Sequence, residues 1–195
     1  MPMAPEAASP NVFDPKAEKR FDVSVDTRNL EIDLFWKRSL FFWGFIASAF
    51  VGFATLRNSS QDLAIIIACF GTVCSVAWSL LNRGSKYWQE SWETKVEESE
   101  KSITGNFFAT EEATQSWKGP WLCARKYSVS KLAIALSDYV AILWLTLVVG
   151  ELVRRFAPLP ISQSLEPIGV IAFTSLSVVY VFLMLKYGKK SPRPQ

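Results

Sequence analysis

Histidine is absent from all 195 residues, which removes the commonest metal ligand and the commonest general base together. Only three cysteines occur. Cys69 and Cys74 share one apolar run, five residues and so about 140° apart around a helix, and Cys123 lies in a polar segment. No disulfide framework or metal-ligand spacing is readable from them. Phosphate-binding glycine loops and nucleophile elbows are missing too; "GNFFATEE" and "KGPW" read as turns. Enzyme chemistry therefore has no visible foothold, and no cofactor is expected. The opening "MPMAPEAASPNVFDPKAEKR" has no basic region ahead of an apolar run, so it does not read as a cleaved signal peptide. Its four prolines before Lys16 mark residues 1–25 as a disordered tail.

What the chain has instead is uncharged sequence. Half of it is apolar, and its mean hydropathy of +0.16 is high for a chain with 20% charged residues. Residues 39–56 carry no charge over eighteen positions, and Leu63–Leu81 and Pro167–Leu185 carry none over nineteen each. Each run is long enough to cross a hydrocarbon core of about 30 Å as a helix. A fourth, Leu132–Val153, is interrupted by Asp138 near its start and Glu151 near its end. Four such runs leave too little polar sequence to enclose them as buried core helices. The expected fold is an all-α integral membrane protein with four transmembrane helices, lipid being its surroundings. The cytoplasmic arm and first span cover 26–57, the second span 62–82, a stalk and loop 83–131, the third span 132–154, the fourth 165–186, and a basic tail 187–195. The connections "RNSSQD" and "RRFAPLPISQSLE" read as short outer loops.

Eighteen of the 21 lysines and arginines fall before the first span, between the second and third, or after the fourth; Arg57, Arg154 and Arg155 are the exceptions. The positive-inside rule then puts both termini and the central segment in the cytoplasm, so the net charge of +3 reports topology and no nucleic-acid partner. Asp26 or Thr27 is available to cap the first helix. Trp36, Lys37 and Arg38 sit where headgroups should be, as interfacial anchors. Gly44, Ser48 and Gly52 recur every four residues, a spacing that lets a second backbone approach closely in lipid.

The stretch "NRGSKYWQESWETKVEESE" (82–100) follows the second span without a break. Advancing 100° per residue from Trp78, the residues Ser85, Trp88, Trp92, Val96 and Ser99 fall within about 80° of one another, apart from the glutamates. A bend at Gly84 would lay this helix on the membrane surface; its five glutamates favour projection into the cytoplasm, because surface-bound helices are usually basic. The stripe needs a protein companion, from the same chain or from other copies. Trp88, Trp92 and Val96, with Gly44, Ser48 and Gly52, are the expected subunit interface.

Three blocks, "EIDLFWKRSLFFWGFI" (31–46), "NRGSKYWQESWE" (82–93) and "YSVSK" (127–131), resemble in order and placement the RipA family of octameric bacterial inner-membrane proteins. The resemblance implies a homo-oligomer of eight subunits and a link to bacterial survival under stress or inside hosts; it supplies no catalytic residues. Asp138 is an ionisable group a turn or two inside a span, where such a group faces a partner or a water-filled space. Lys131, seven residues earlier on nearly the same face, is the candidate partner. Glu151 with Arg154 and Arg155 reads as a solvated helix end. Two functions stand at this point: a non-enzymatic scaffold that recruits or restrains a cytoplasmic partner, and an ion channel with Asp138 lining its path.

Overall fold

The computed structural model describes residues 14–100, 103, 127–156 and 159–188, with side chains of the last helix described from Pro167 onward. Helices α1 (Pro15–Leu56), α2 (Gln61–Glu100), α3 (Val129–Phe156) and α4 (Leu159–Tyr187) account for nearly all of these residues, and no strand occurs among them. All four contain a segment long and apolar enough to cross a membrane.

α1 begins well before the expected cap. Asp14 is the N-cap, its carboxylate accepting the Lys16 N–H at 2.9 Å, and Pro15 occupies the first turn, where a missing N–H costs nothing. The tail expected over 1–25 is therefore helical from Pro15. Thr27 lies inside the helix and donates back to the Val23 carbonyl at 2.7 Å. The last of the four prolines starts the helix, where its locked φ suits the first turn.

α1 and α2 form one long antiparallel hairpin. Ser60 accepts the Ala64 N–H through its carbonyl at 3.0 Å and so starts α2 after a tight turn at 57–60. Trp43 meets Trp78 edge-on at 6.2 Å, and the Trp78 indole donates to Ser39 Oγ at 3.3 Å. Farther along, Arg38 donates to Ser85 at 3.3 Å. α2 stays helical through Gly84; at 1.5 Å per residue its 40 residues measure about 60 Å, twice a hydrocarbon core. Val96, 1% exposed, and Ser24, 6% exposed, are buried near the far ends of the same hairpin. The companion that the stripe on α2 requires is, for its inner edge, α1 of its own chain.

The inward line of α2 repeats every seven residues: Ala68, Ser75, Asn82 and Val96 are buried with Gln89 half-buried between the last two, and Gly71, Trp78 and Ser85 form a second line beside it. Such a repeat keeps one seam facing its neighbours over many turns. α3 answers with Ser137, Trp144 and Glu151, also seven apart and all buried. Trp144 is wholly enclosed, stacked on Phe50 at 4.3 Å and edge-on to Phe53 at 6.1 Å. It lies so close to Gly71 that a Cβ there would fall 2.4 Å from the indole.

α4 packs on α3 alone among the described helices. Tyr139 carries that contact, with its hydroxyl 2.8 Å from Ser177 Oγ and its ring against Phe173 and Tyr180. At the other end the Gly188 carbonyl accepts the Ser128 N–H at 2.9 Å, and Ser128 Oγ accepts from Lys131 N at 3.4 Å, which makes Ser128 the α3 cap. α4 begins at Leu159, so most of the connection expected before residue 165 is helix; Pro160, its second residue, lacks only an N–H that would have no helical partner.

Gly71→Ala should push α2 from α3 and lower stability by about 1–3 kcal/mol, and Trp144→Ala should cost about 3–5 kcal/mol. Gly150→Ala, where nothing lies within 4 Å, should change it by under about 0.5 kcal/mol. Thermal unfolding of the detergent-solubilised protein ranks the three.

Candidate functional site

Two polar layers cross the bundle, one near the stalk and one at the α1–α2 turn. The stalk-side layer is built on one turn of α2. Arg83 holds Asp138 of α3 with both guanidinium nitrogens, at 2.9 and 2.7 Å, and Ser79 donates to the same carboxylate. One residue before Arg83, Asn82 donates to Ser137 Oγ at 3.2 Å and to the Ala133 carbonyl at 3.3 Å. Ser130 donates to Gln89 at 3.1 Å a turn or two closer to the stalk tip. These bonds exist because residues three, four and seven apart on α2 face the same neighbour. In lipid, where apolar burial offers no gain, they and the small residues between them hold α2 to α3.

Asp138 is thus paired, but with Arg83 of α2 and not with Lys131. Register decides this: α3 runs antiparallel to α2, and the Asn82–Ser137 bond leaves Arg83 and Asp138 about 3 Å apart in depth, a gap the long arginine side chain spans. A bidentate guanidinium also satisfies both carboxylate oxygens at once, which an ammonium on the same helix does not.

At the turn end, Glu151 is only 2% exposed, so the solvated helix end expected there is a buried charge cluster. Arg57, in the turn, donates to its Oε1 at 2.8 Å. Arg154 Nε lies 3.0 Å from Oε2 but out of line for a hydrogen bond, so that contact is coulombic. Gln61 donates to the Glu151 carbonyl at 3.4 Å, Arg154 donates to the Arg57 carbonyl at 2.6 Å, and Arg155 stands 3.7 Å from Asp62. Spacing within α3 showed the arginines three and four residues on; Arg57, ninety-four residues away, was hidden from it.

The residues expected at a subunit interface separate. Val96 is sealed inside the chain, and Trp92 is half-buried with Lys95 Nζ 4.0 Å above its ring. Trp88 is 50% exposed and, among the described residues, its ring meets Tyr87 edge-on at 5.5 Å. Gly52 is used within the chain, where Ile67 lies 3.2 Å from its Cβ position. Gly44 and Ser48 face outward, with nothing within 4 Å of a Cβ on Gly44. Of the three anchors, Trp36 is exposed and Lys37 pairs with Asp33 at 2.6 Å, but Arg38 turns inward to Ser85 and lies 4.0 Å from Glu31. Trp144, Asn82 and Arg83 were not singled out; the signal for them was the seven-residue repeat of small and polar side chains on α2 and α3. No group of three metal-ligating side chains comes together among the described residues.

Four helices with membrane-length apolar segments, bracketed by paired charges, define a multi-pass α-helical membrane protein. Residues 18–153, well over half of the chain, match the octameric membrane protein family (8xMP), and the chain belongs to that family. All three sequence blocks quoted above fall inside the matched range, in agreement with the resemblance they suggested. No curated protein and no solved structure matches the chain.

Arg83→Met and Asp138→Leu should each lower stability by about 1–2 kcal/mol, the pair being partly exposed, and the double variant should lose less than the sum. Thermal unfolding of the four proteins in detergent closes that cycle. Glu151→Gln should cost about 2–4 kcal/mol with little dependence on salt, whereas Arg155→Gln should stay within about 0.5 kcal/mol; unfolding in low and high salt separates the two.

Proposed function

We propose that the protein is a non-enzymatic scaffold: eight copies assemble in the bacterial inner membrane with both termini in the cytoplasm. Their stalks hold or restrain a cytoplasmic partner in stress or host survival. The carrying observation is the apolar surface left bare beyond the membrane-length segments. Val23 is 52% exposed and Leu30 54%, on a hairpin whose inner seam is already filled, and Tyr87 and Trp88, 67 and 50% exposed, continue that surface to the membrane edge. Side chains of that kind left in water mark an interaction surface. The octameric family supports copies of the same chain as the first companions, and the distribution of lysine and arginine supports the orientation.

A channel is the rival reading, favoured by one observation: Asp138 keeps 30% of its side chain exposed within an apolar span. Its pairing with Arg83 opposes that role, since a neutralised pair presents no net charge to a passing ion. Native mass measurement of the detergent particle should give about eight times the 22.0 kDa of one chain. Reconstituted vesicles should then show no ion flux, with or without Asp138→Asn. Flux that changes with that substitution overturns the scaffold in favour of the channel.

A further inference from the structure

We propose that α4 of one copy lies on the α1–α2 hairpin of the next copy, against the face that this hairpin turns away from α3. The inference rests on the homo-oligomeric reading above and names the two surfaces it uses. Copies inserted into one membrane in one orientation close into a ring only by rotation about an axis along the membrane normal, because a two-fold axis in the membrane plane would invert half of them. Every contact in such a ring is heterologous. A copy must therefore offer two different faces, and the residues that meet must lie at equal depth.

The chain presents two such faces at opposite ends of its layers, which run from hairpin to α3 to α4. On α4, Phe173, Ser177 and Tyr180 meet α3, and the opposite side carries Ile171, Val178, Phe182 and Leu185, between 55 and 67% exposed. On α1, Phe50 turns to Trp144, and the far side carries Gly44 and Ser48 with Phe41 and Val51, the last two 70 and 69% exposed. Val73 and Leu80, 67 and 62% exposed, lie on the side of α2 opposite Gly71 and Asn82 and continue that face.

Depth follows from the internal pairings. Arg38 lies beside Ser85, Asn82 beside Ser137, Tyr139 beside Ser177, and Ser128 beside Gly188. Carried across the antiparallel helices, they bring Val178 level with Phe41 and Leu80, Ile171 level with the Gly44–Ser48 notch, and Leu185 level with Trp88, each to within about one turn. Ile171 on α4 thus stands opposite a stretch where the hairpin has no side chain or a small one, the combination by which helices pack in lipid. At their fractional exposures the eight large side chains named on the two faces offer roughly 1,000 Å², the size at which an interface becomes specific.

The test is a disulfide ladder. In a chain with Cys69, Cys74 and Cys123 replaced by Ala, Phe41→Cys and Val178→Cys are introduced together, and membranes are treated with a lipid-permeant oxidant. α1 and α4 do not touch within a chain, so any bond between these thiols joins two copies. The expected result is a series of covalent multimers rising toward eight on a denaturing gel, and no series from either single variant. Ser48→Cys with Ile171→Cys provides a second pair at another depth. Single variants that give dimers as strongly as the pair give multimers, or an intact assembly with neither ladder, overturn the α4–hairpin contact. Native mass of the unoxidised proteins separates the causes: a single-chain mass sinks the oligomeric reading itself, and a multi-chain mass without a ladder sinks only this contact.

Discussion

Backbones can approach one another closely along α2 because its two inward lines are made of alanine, glycine, serine and asparagine as far as the membrane edge, with Trp78 as the large exception. Everything else in the bundle leans on that approach. Ala64 and Ala68 are fully enclosed, and Gly71 leaves the gap that Trp144 fills. A larger side chain at any of these positions would separate α2 from α1 or α3 and would carry the Asn82–Ser137 and Arg83–Asp138 bonds out of reach. In water such a seam would be weak, since it buries little apolar area per turn. In lipid the comparison is different: lipid tails are as apolar as leucine, so close contact and interhelical hydrogen bonds decide the association.

The charged layers follow from the same seam. Once α2 and α3 lie close, carboxylates and guanidinium groups that must enter the bundle do so in pairs, because a lone buried charge is far more costly than a satisfied one. Arg83 with Asp138 at one end, and Arg57 and Arg154 with Glu151 at the other, bracket an uncharged stretch of α3 about 20 Å long. The layers fix how far α3 slides along its neighbours. They leave the middle of the bundle to Trp144 and the two phenylalanines packed against it.

Much of the fold was legible in the sequence, and for a definite reason. Runs such as Leu63–Leu81 read as spans because their lack of charge is a local property that no tertiary contact alters. The long projecting helix was legible from the stripe through Trp92 and Val96, and so was the need of that stripe for a companion. The seam inside the membrane was not legible, because Ala68, Ser75 and Asn82 are inconspicuous where nearly every neighbour is apolar; the repeat shows only when positions seven apart are compared. The partners of Asp138 and Glu151 were beyond reach for another reason. Lys131 and Arg155 were near in the chain, but Arg83 and Arg57 are near only once the antiparallel register of three helices is known. The start of α1 was misplaced because prolines were counted as a sign of disorder, while Asp14 and Pro15 together make a favourable first turn.

The clasp on Glu151 also bears on how the third helix is seated. Arg57 and Asp62 sit at the bend between α1 and α2, and each meets a charge at the tip of α3. That tip, with one glutamate and two arginines, lies where a guanidinium and a carboxylate stand. Opposite charges on the two sides thus give the third helix a complementary seat on the bend of the first pair.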